Sequence, residues 1–484
     1  MKLRTYRAMS NLTQHEIAQK LGVSELSIIK YEGGTNMPSR ETMLRIYEMT
    51  GGLVTPNDFF DLESKPVNQT MSPPTNTFVA AGLMSGTSMD GIDGTLMITD
   101  GEKLIKDIGS YSLDYESSFK SLLKACEQAV LQNEGDLKKA RLDFNKKHKS
   151  TTFEAVIEKS TDLHARVITQ LLKKTGYKAK NIDIVGYHGQ TLFHRPNNGI
   201  TIQVGDGQRL ADEIGISVVY DFRTNDVHHG GQGAPFAPLY HKALANQAGL
   251  TPVVIANCGG ISNITVIGTT DKELYAYDCG PGNTLIDRFV QSKIGKEMDK
   301  DGLYGSKGKV VEKVLQALRQ KAIKLKDGSN YLDRKPPKSL DVNDLKLIPE
   351  VNALSLQDGC ATLEAFTAQC IVESLADLKY PIPKFWIVAG GGWKNKMITS
   401  QLEQRLKDTL GPELRLQHAD QVGWSGKAME AQIFAYLAVR SLRKLPLSLP
   451  GTTGVPKPLT GGKLVFPNHE IKKASKAVRS LLNQ

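Results

Sequence analysis

The N-terminal stretch of the chain places its apolar residues at helical spacing. Ile17, Ala18 and Leu21 follow Thr13, and Glu16 stands three residues after Thr13, the arrangement of a capping box. Gly22 ends this helix. Ser24 caps a second helix carrying Leu26, Ile29 and Tyr31, which Gly33-Gly34 stop. A third is predicted over 39–49, before Gly51-Gly52. Residues 63–77 (ESKPVNQTMSPPTNT) then lose the periodicity and read as a linker. From 78 onward, short apolar runs alternate with amphipathic segments. Strands are predicted at 78–83, 95–98, 182–187, 201–204, 216–219, 253–256, 263–267 and 385–388. Helices are predicted at 119–131, 152–173, 239–247, 284–294, 310–322, 361–378 and 428–445. The pattern describes an all-α module (1–62), a linker (63–77) and an α/β module with covered sheets (78–484).

Composition narrows this picture. The 484 residues are 40% hydrophobic and 23% charged, ordinary for a globular protein. No apolar run approaches the ~18 residues of a membrane span, and Met1–Lys20 lacks the apolar core of a signal peptide. The five cysteines include no CxxC pair, which predicts reduced thiols in a cytoplasmic protein. Net charge is +10, yet residues 1–62 hold seven basic and seven acidic side chains. The excess therefore lies in the large module and its tail, where it serves solubility or draws anionic ligands.

Four glycine-rich turns sit beside predicted strands: GTSMDGID (86–93), NCGGISN (257–263), DCGPGN (278–283) and AGGGWKN (389–395). Small residues let a backbone approach a phosphate chain, and turn N–H groups then point at its oxygens. Thr87 and Ser88 add hydroxyl donors; Asp90 and Asp93 add carboxylates able to hold Mg²⁺ or orient a nucleophile. The same composition also suits a plain hairpin turn. The strand–turn–strand at 255–266 repeats the plan of the first loop, as a duplicated fold requires. Neither GxxxxGK[ST] nor GxGxxG occurs, so P-loop and dinucleotide-fold readings have no support. Between the turns lies a polar cluster: His188-Gly189-Gln190-Thr191, His194-Arg195-Pro196, Gln203 to Asp206, Asp221-Phe222-Arg223, Asp226 and GGQGAP (230–235). Amides, carboxylates and hydroxyls on loops at strand ends suit a sugar.

GTSMDGID, HGQT, DFR, GGQGAP, AGGG and the ME…FAYLA stretch together resemble the anhydro-N-acetylmuramic acid kinase family, and the resemblance spans nearly all of 78–484. It implies a two-lobed actin-like ATPase, a duplicated ribonuclease H-like α/β fold, with ATP and Mg²⁺ between the lobes. It also implies the reaction: water opens the 1,6-anhydro ring while the γ-phosphoryl of ATP passes to O6, a step of cell-wall amino-sugar recycling. Carried over residue by residue, Gly86, Thr87, Ser88, Met89, Asp90, Gly91, Ile92 and Asp93 hold the phosphates, with Asp90 toward Mg²⁺. Gly259 and Gly260, with Asn257 and Asn263, face them from the other lobe. Asp278, Gly280, Gly282 and Asn283 continue that wall, and Gly390, Gly391 and Gly392 lie near the adenosine. Asp287 either reaches the metal or caps its helix. His188, Gln190, Thr191 and Gln232 bind the sugar. Asp221 is the base, Arg223 holds it ionised or contacts the sugar, and Asp226 is the rival acid. The chain departs from the family at Trp393 and at Trp424, Ser425 and Lys427, both beside the expected adenosine pocket.

The string from Leu12 to Gly51 resembles a Cro/repressor-type helix-turn-helix domain. That implies a recognition helix starting at Ser24, with Glu25, Leu26, Ser27 and Lys30 outward and Gln14 near a phosphate. Gln14, Ser24, Ser27 and Lys30 are the DNA-binding candidates. Affinity for DNA comes mainly from neutralised phosphates, and this module is neutral, so a degenerate or dimerising module stands beside the DNA binder. Both resemblances imply a homodimer. The competing functions are a regulator whose kinase-like module only senses a sugar, and a kinase of this fold for another sugar.

Overall fold

The computed structural model describes residues 3–10, 12–50, 54, 59, 76–86, 88–270, 272–325, 327–378, 380–426 and 428–482. The expected linker lies outside the described residues apart from Asn76 and Thr77.

The N-terminal module contains helices α1 (Leu3–Met9), α2 (Gln14–Leu21), α3 (Glu25–Glu32) and α4 (Arg40–Met49). The capping box forms: Thr13 N–H donates to Glu16 Oε2 at 2.6 Å and Glu16 N–H to Thr13 Oγ1 at 3.1 Å. Gly22 ends α2 at φ 65°, a left-handed conformation that costs glycine little. Helix α1 was not predicted, because its seven residues carry no capping signal. It is tied to α3 by a two-pronged Arg7–Glu32 pair at 2.7 and 3.0 Å. Leu3, Ile17, Ala18, Leu21, Ile28 and Ile46 form the core. On α3 the buried residue is Ile28, while Leu26 and Ile29 are exposed. Helix α1 also touches the large module: Gln417 Nε2 donates to the Ala8 carbonyl at 3.0 Å, and Ala8 packs in the same apolar cluster as Ala419 and Val422.

The large module is built on two sheets. The first contains β1 (Phe78–Ser85), β2 (Gly91–Thr99), β3 (Ile105–Asp114), β4 (Ile184–Arg195), β5 (Ile200–Val204) and β6 (Val218–Tyr220). The second contains β7 (Val253–Cys258), β8 (Ile261–Ile267), β9 (Leu274–Pro281), β10 (Phe385–Ala389) and β11 (Arg415–His418). A last strand, β12 (Lys463–Val465), returns to the first sheet beside β6. In the first sheet β1, β2 and β3 form an antiparallel meander, and β4 and then β6 add in parallel on the far side of β1. In the second, β7, β8 and β9 repeat the meander, and β10 and β11 add in parallel beside β7. The order 3-2-1-4-6 thus recurs as 9-8-7-10-11, a duplicated ribonuclease H-like plan and the architecture of an actin-like ATPase. Strands β3, β9, β11 and β12 went unpredicted because turn residues or polar edge positions interrupt their alternation.

Side-chain alternation along each central strand feeds two cores. Phe78 and Ala80 of β1, with Val253 and Ile255 of β7, face a shared cluster between the sheets, whereas Ala81 and Leu83 face the outer helices of the first sheet. The helix Met429–Leu442 runs through the shared cluster. A Cβ on Gly82 would lie 2.0 Å from the Ala431 carbonyl oxygen, and one on Gly186 would lie 2.0 Å from that of Phe434. Only glycine at these positions lets the helix backbone rest directly on β1 and β4.

Candidate active site

The β1–β2 hairpin carries the first glycine-rich loop. Met89, at φ 54°, donates its N–H to the Gly86 carbonyl at 3.1 Å and buries its side chain. Ile92 is buried as well, so it offers a ligand only its backbone. Asp90 is exposed and paired with Lys120. Partial burial acts to raise its pKa, but hydrogen bonds from Lys120 and Ser88 outweigh it and hold the carboxyl below its ordinary value. Asp93 accepts from Ser112 Oγ. Thr87 lies outside the described residues. Gln190, expected to bind sugar, is fully buried beneath this loop: Ser85 Oγ donates to its Oε1 at 2.6 Å, and its Nε2 donates to the Gly86 carbonyl at 3.0 Å. Its amide braces the hairpin.

The other glycine turns meet in one surface on the second sheet. Asn283 N–H donates to the Gly259 carbonyl at 2.8 Å, and Gly282 N–H to that of Gly260 at 2.9 Å. Thr367 Oγ1 donates to the Gly282 carbonyl at 3.0 Å, and Ser262 Oγ to that of Gly280 at 3.2 Å. Gly390, at φ 100°, abuts Asn257 and Cys258; a Cβ on Gly392 would meet Cys258 Sγ at 2.4 Å and Asn283 Nδ2 at 2.9 Å. Nothing stands within 4 Å of a Cβ on Gly391, which faces open space. Trp393 points away from that surface: it is buried, and its Nε1 donates to the Ala256 carbonyl at 3.0 Å. Trp424 is buried in the shared core. Both tryptophan departures are thus absorbed by packing, while Lys427 lies outside the described residues.

Acids line the back of this surface. Burial raises Asp287 to about 6, with Asp299 adding. Asp287 does not cap its helix; the N-cap residue is Asn283, without a side-chain bond. Behind it, burial lifts Glu364 to about 8 against the hydrogen bond from Asn395, and Asp299 pushes the same way as burial.

Arg223 is the centre of the cleft. Its Nε donates to His188 Nε2 at 3.1 Å, its Nη1 to the Gly233 carbonyl at 2.6 Å, and its guanidinium lies 5.5 Å from the Phe236 ring centroid. Burial draws its pKa down to about 10, opposed by Asp226, Glu430 and Asp278. His188, buried beside this cation, is pushed well below its ordinary pKa, so it is neutral, with Nδ1–H toward the Gly189 carbonyl at 2.8 Å. Asp278 rises to about 7 through burial, although Leu340 N–H donates to it at 2.8 Å. Glu430 is exposed; desolvation and Asp93 raise its pKa, with Arg223 opposing.

Asp221 follows β6 at φ 54°, a conformation that costs a non-glycine residue of order 1 kcal/mol or more. Its Oδ2 lies 2.7 Å from Lys463 Nζ. The sequence expectation that Arg223 holds Asp221 is therefore corrected: the cation on Asp221 is Lys463, brought there by the pairing of β12 with β6. Asp226 is buried and spent, its Oδ1 accepting from Gly233 N–H at 2.6 Å and its Oδ2 from Thr453 Oγ1 at 2.6 Å. Thr191 Oγ1 accepts from Gln203 at 3.4 Å, and Gln232 Oε1 accepts from Ser339 Oγ at 3.0 Å. A cavity of ≈ 180 Å³ opens over Tyr187, His188, Gln203, Tyr220, Asp221 and Thr224. Sequence reasoning missed Lys463 and Glu430. The ME motif contained Glu430, but only the fold brings it to Asp93 and Arg223.

Of the helix-turn-helix candidates, Ser24 caps α3 and shares a 2.8 Å hydrogen bond with Ser27. Lys30 is exposed, and the Gln14 amide donates to Glu32 at 2.8 Å.

Two ribonuclease H-like halves, each offering glycine turns to a charged cleft, define a two-lobed sugar kinase of the actin-like ATPase class. The family model for anhydro-N-acetylmuramic acid kinase matches residues 78–467, and a helix-turn-helix domain model matches 1–64. The chain belongs to the anhydro-N-acetylmuramic acid kinase family. It is similar to the anhydro-N-acetylmuramic acid kinase of Rhizorhabdus wittichii, 41% identical over 385 residues, which cover 79% of this chain and 98% of that protein. It is likewise similar to the kinase of the same name from Methylorubrum populi, 40% identical over 401 residues, 80% of this chain and 99% of that one. The chain is an ATP-using kinase for anhydro-N-acetylmuramic acid. Among the described residues no helix is long and apolar enough to cross a membrane.

Proposed function

We propose that Asp221 is the general base of this reaction. The supporting observation is its placement: a carboxylate at a strand end, in a left-handed conformation, on the wall of the central cavity, while the rival Asp226 has both oxygens committed. Asp221 takes the proton of the water that attacks the anomeric carbon. The bond from that carbon to O6 breaks, and O6 takes the γ-phosphoryl of ATP as its bond to the β,γ-bridging oxygen breaks and ADP leaves. The backbone donors of 86–93 and the turns at 259–260, 280–283 and 390–392 hold the nucleotide from the two lobes. Arg223, kept in place by neutral His188 and the Gly233 carbonyl, faces the sugar side of the cleft. Gln190 and Ser85 fix the hairpin, and Thr191 and Gln232 line the sugar side.

Asp90 suits Mg²⁺: it is exposed, ionised and set in the phosphate hairpin. Magnesium is commonly held by one or two carboxylates together with substrate phosphates, where it neutralises charge developing on them. Asp287 is the second acid on the nucleotide side.

The chain divides at 63–77 into a helix-turn-helix module and the kinase. We assign the protein to the cytoplasm and read it as a homodimer. The exposed Ser24 and Lys30, with half-buried Ser27 between them, support contact with DNA through α3, against the neutral charge of the module. Purified protein with Mg-ATP and the anhydro sugar, followed by mass, tests the catalytic reading. Asp221→Asn is expected to lose roughly 10²–10⁴-fold of turnover, the usual contribution of a positioned base. Sugar binding without turnover by the unsubstituted protein would instead favour the sensor–regulator.

A further inference from the structure

The substrate carries a charge that the described cavity does not answer. Muramic acid differs from glucosamine by a lactyl ether ending in a carboxylate, and a carboxylate is read by a cation. None of the residues lining the cavity over Asp221 is cationic. Arg223 spends its Nε on His188 and its Nη1 on the Gly233 carbonyl, and its charge is already answered by Asp226, Glu430 and Asp278. Arg195 is held by Asp341 at 2.7 Å and Asp344 at 3.7 Å. Lys120 belongs to Asp90 in the phosphate hairpin. Lys463 is different. Its side chain is 64% exposed, it reaches the cavity wall at Asp221 Oδ2, and among the described residues Asp221 is the one carboxylate it pairs with.

We propose that Lys463 recognises the carboxylate of the anhydro sugar, leaving Asp221 for the substrate as the sugar enters. The proposal rests on the reading of Asp221 as the base. An ammonium on a flexible four-carbon stem can move between two nearby carboxylates, and a half-exposed ion pair gives up little when it is exchanged. The arrangement makes Lys463 a specificity-determining residue. Without a substrate carboxylate it stays on Asp221; with one, it binds the ligand and leaves the Asp221 oxygen free to take the proton of water. An acid sugar thus gains both a contact and an unencumbered base, and a neutral sugar gains neither.

The test compares 1,6-anhydro-N-acetylmuramic acid with 1,6-anhydro-N-acetylglucosamine, which lacks the lactyl carboxylate. Both kcat/KM and nucleotide-free affinity by calorimetry are measured, so a slow neutral substrate still gives a reading. Lys463→Met is expected to lose roughly ten- to hundredfold on the acid sugar, the scale of one charge-assisted hydrogen bond, and little on the neutral one. Lys463→Arg should keep most of the discrimination. Equal losses on both sugars, or no loss on the acid sugar, would overturn the proposal. Asp221→Asn run alongside separates the readings: if it retains full turnover, the base assignment fails, while the affinity ratio still reports on Lys463.

Discussion

Glu364 offers the sharpest test of the electrostatics. It is fully buried on the helix Leu356–Glu373, where its Oε1 accepts from Asn395 Nδ2 at 2.7 Å. Its Oε2 has no partner unless it carries a proton toward Asp299, whose oxygens accept from Tyr304 N–H and Gly305 N–H, each at 2.9 Å. Its folded-state pKa, about 8, stands above the ordinary 4.5. A carboxyl raised in this way contributes stability that is fully present below its unfolded pKa and is lost as pH rises through its folded pKa. The window therefore runs from about 4.5 to about 8. Within it one proton is worth roughly 1.4 kcal/mol per pH unit. Glu364→Gln places an amide where the proton belongs, donating to Asp299 and accepting from Asn395. Urea unfolding of both proteins from pH 5 to pH 7 should show the variant gaining on wild type by about 2–3 kcal/mol. Taking the difference cancels Asp278 and Asp287, which are raised too. Parallel stability curves would refute a protonated Glu364.

Three further outcomes follow from the geometry. Gly82→Ala should lower stability by at least ~1–3 kcal/mol, because the new methyl meets the Ala431 carbonyl and the helix must shift; thermal unfolding reads the loss, and an unchanged midpoint would contradict the close approach. Gln190→Ala should raise the KM for ATP more than that for the sugar, and cost about 1–3 kcal/mol by removing the two hydrogen bonds that tie its amide to Ser85 Oγ and the Gly86 carbonyl; a selective rise in the sugar KM would return Gln190 to the sugar site. If the helix-turn-helix grips DNA, Lys30→Ala should weaken binding in fluorescence anisotropy and lower the salt slope by about one; binding insensitive to both salt and Lys30 would count against α3 as the contact surface.

Much of this molecule was legible in the chain because its signals are local. The capping box at Thr13 and Glu16 formed as written, and the repeated strand–turn–strand plan became two sheets of one topology. The glycine turns at 86–93, 257–263 and 389–395 sit beside strands the sequence predicts, whereas the one at 278–283 ends β9, which it does not. What escaped was decided by tertiary contact. Gln190 reads as a sugar ligand in HGQT, yet the parallel pairing of β1 with β4 lays it under the Gly86 turn. The sequence favours Asp221 over Asp226 only through the motif resemblance; in the fold, Gly233 N–H and Thr453, the latter from a distant segment, occupy both oxygens of Asp226. Lys463 lies far along the chain from Asp221, and no periodicity connects them. Trp393 looked like a change to the pocket because sequence gives no direction to a side chain at a turn.

The contact of the helix Met429–Leu442 with Gly82 and Gly186 fixes which parts of the site travel together. That helix has no side-chain layer beneath it at those points, so it is seated on the first sheet and carries Glu430 with it. Asp221, Arg223, His188, Lys463 and the 86–93 hairpin are anchored to the same sheet. The turns around Gly259, Gly282 and Gly391 are anchored to the other. Any rocking of one sheet against the other leaves the sugar-side charges in mutual register and changes only their reach toward the nucleotide turns. On the proposed reading of the site, one body carries the acceptor and the 86–93 hairpin, and the other carries the remaining turns that hold the donor.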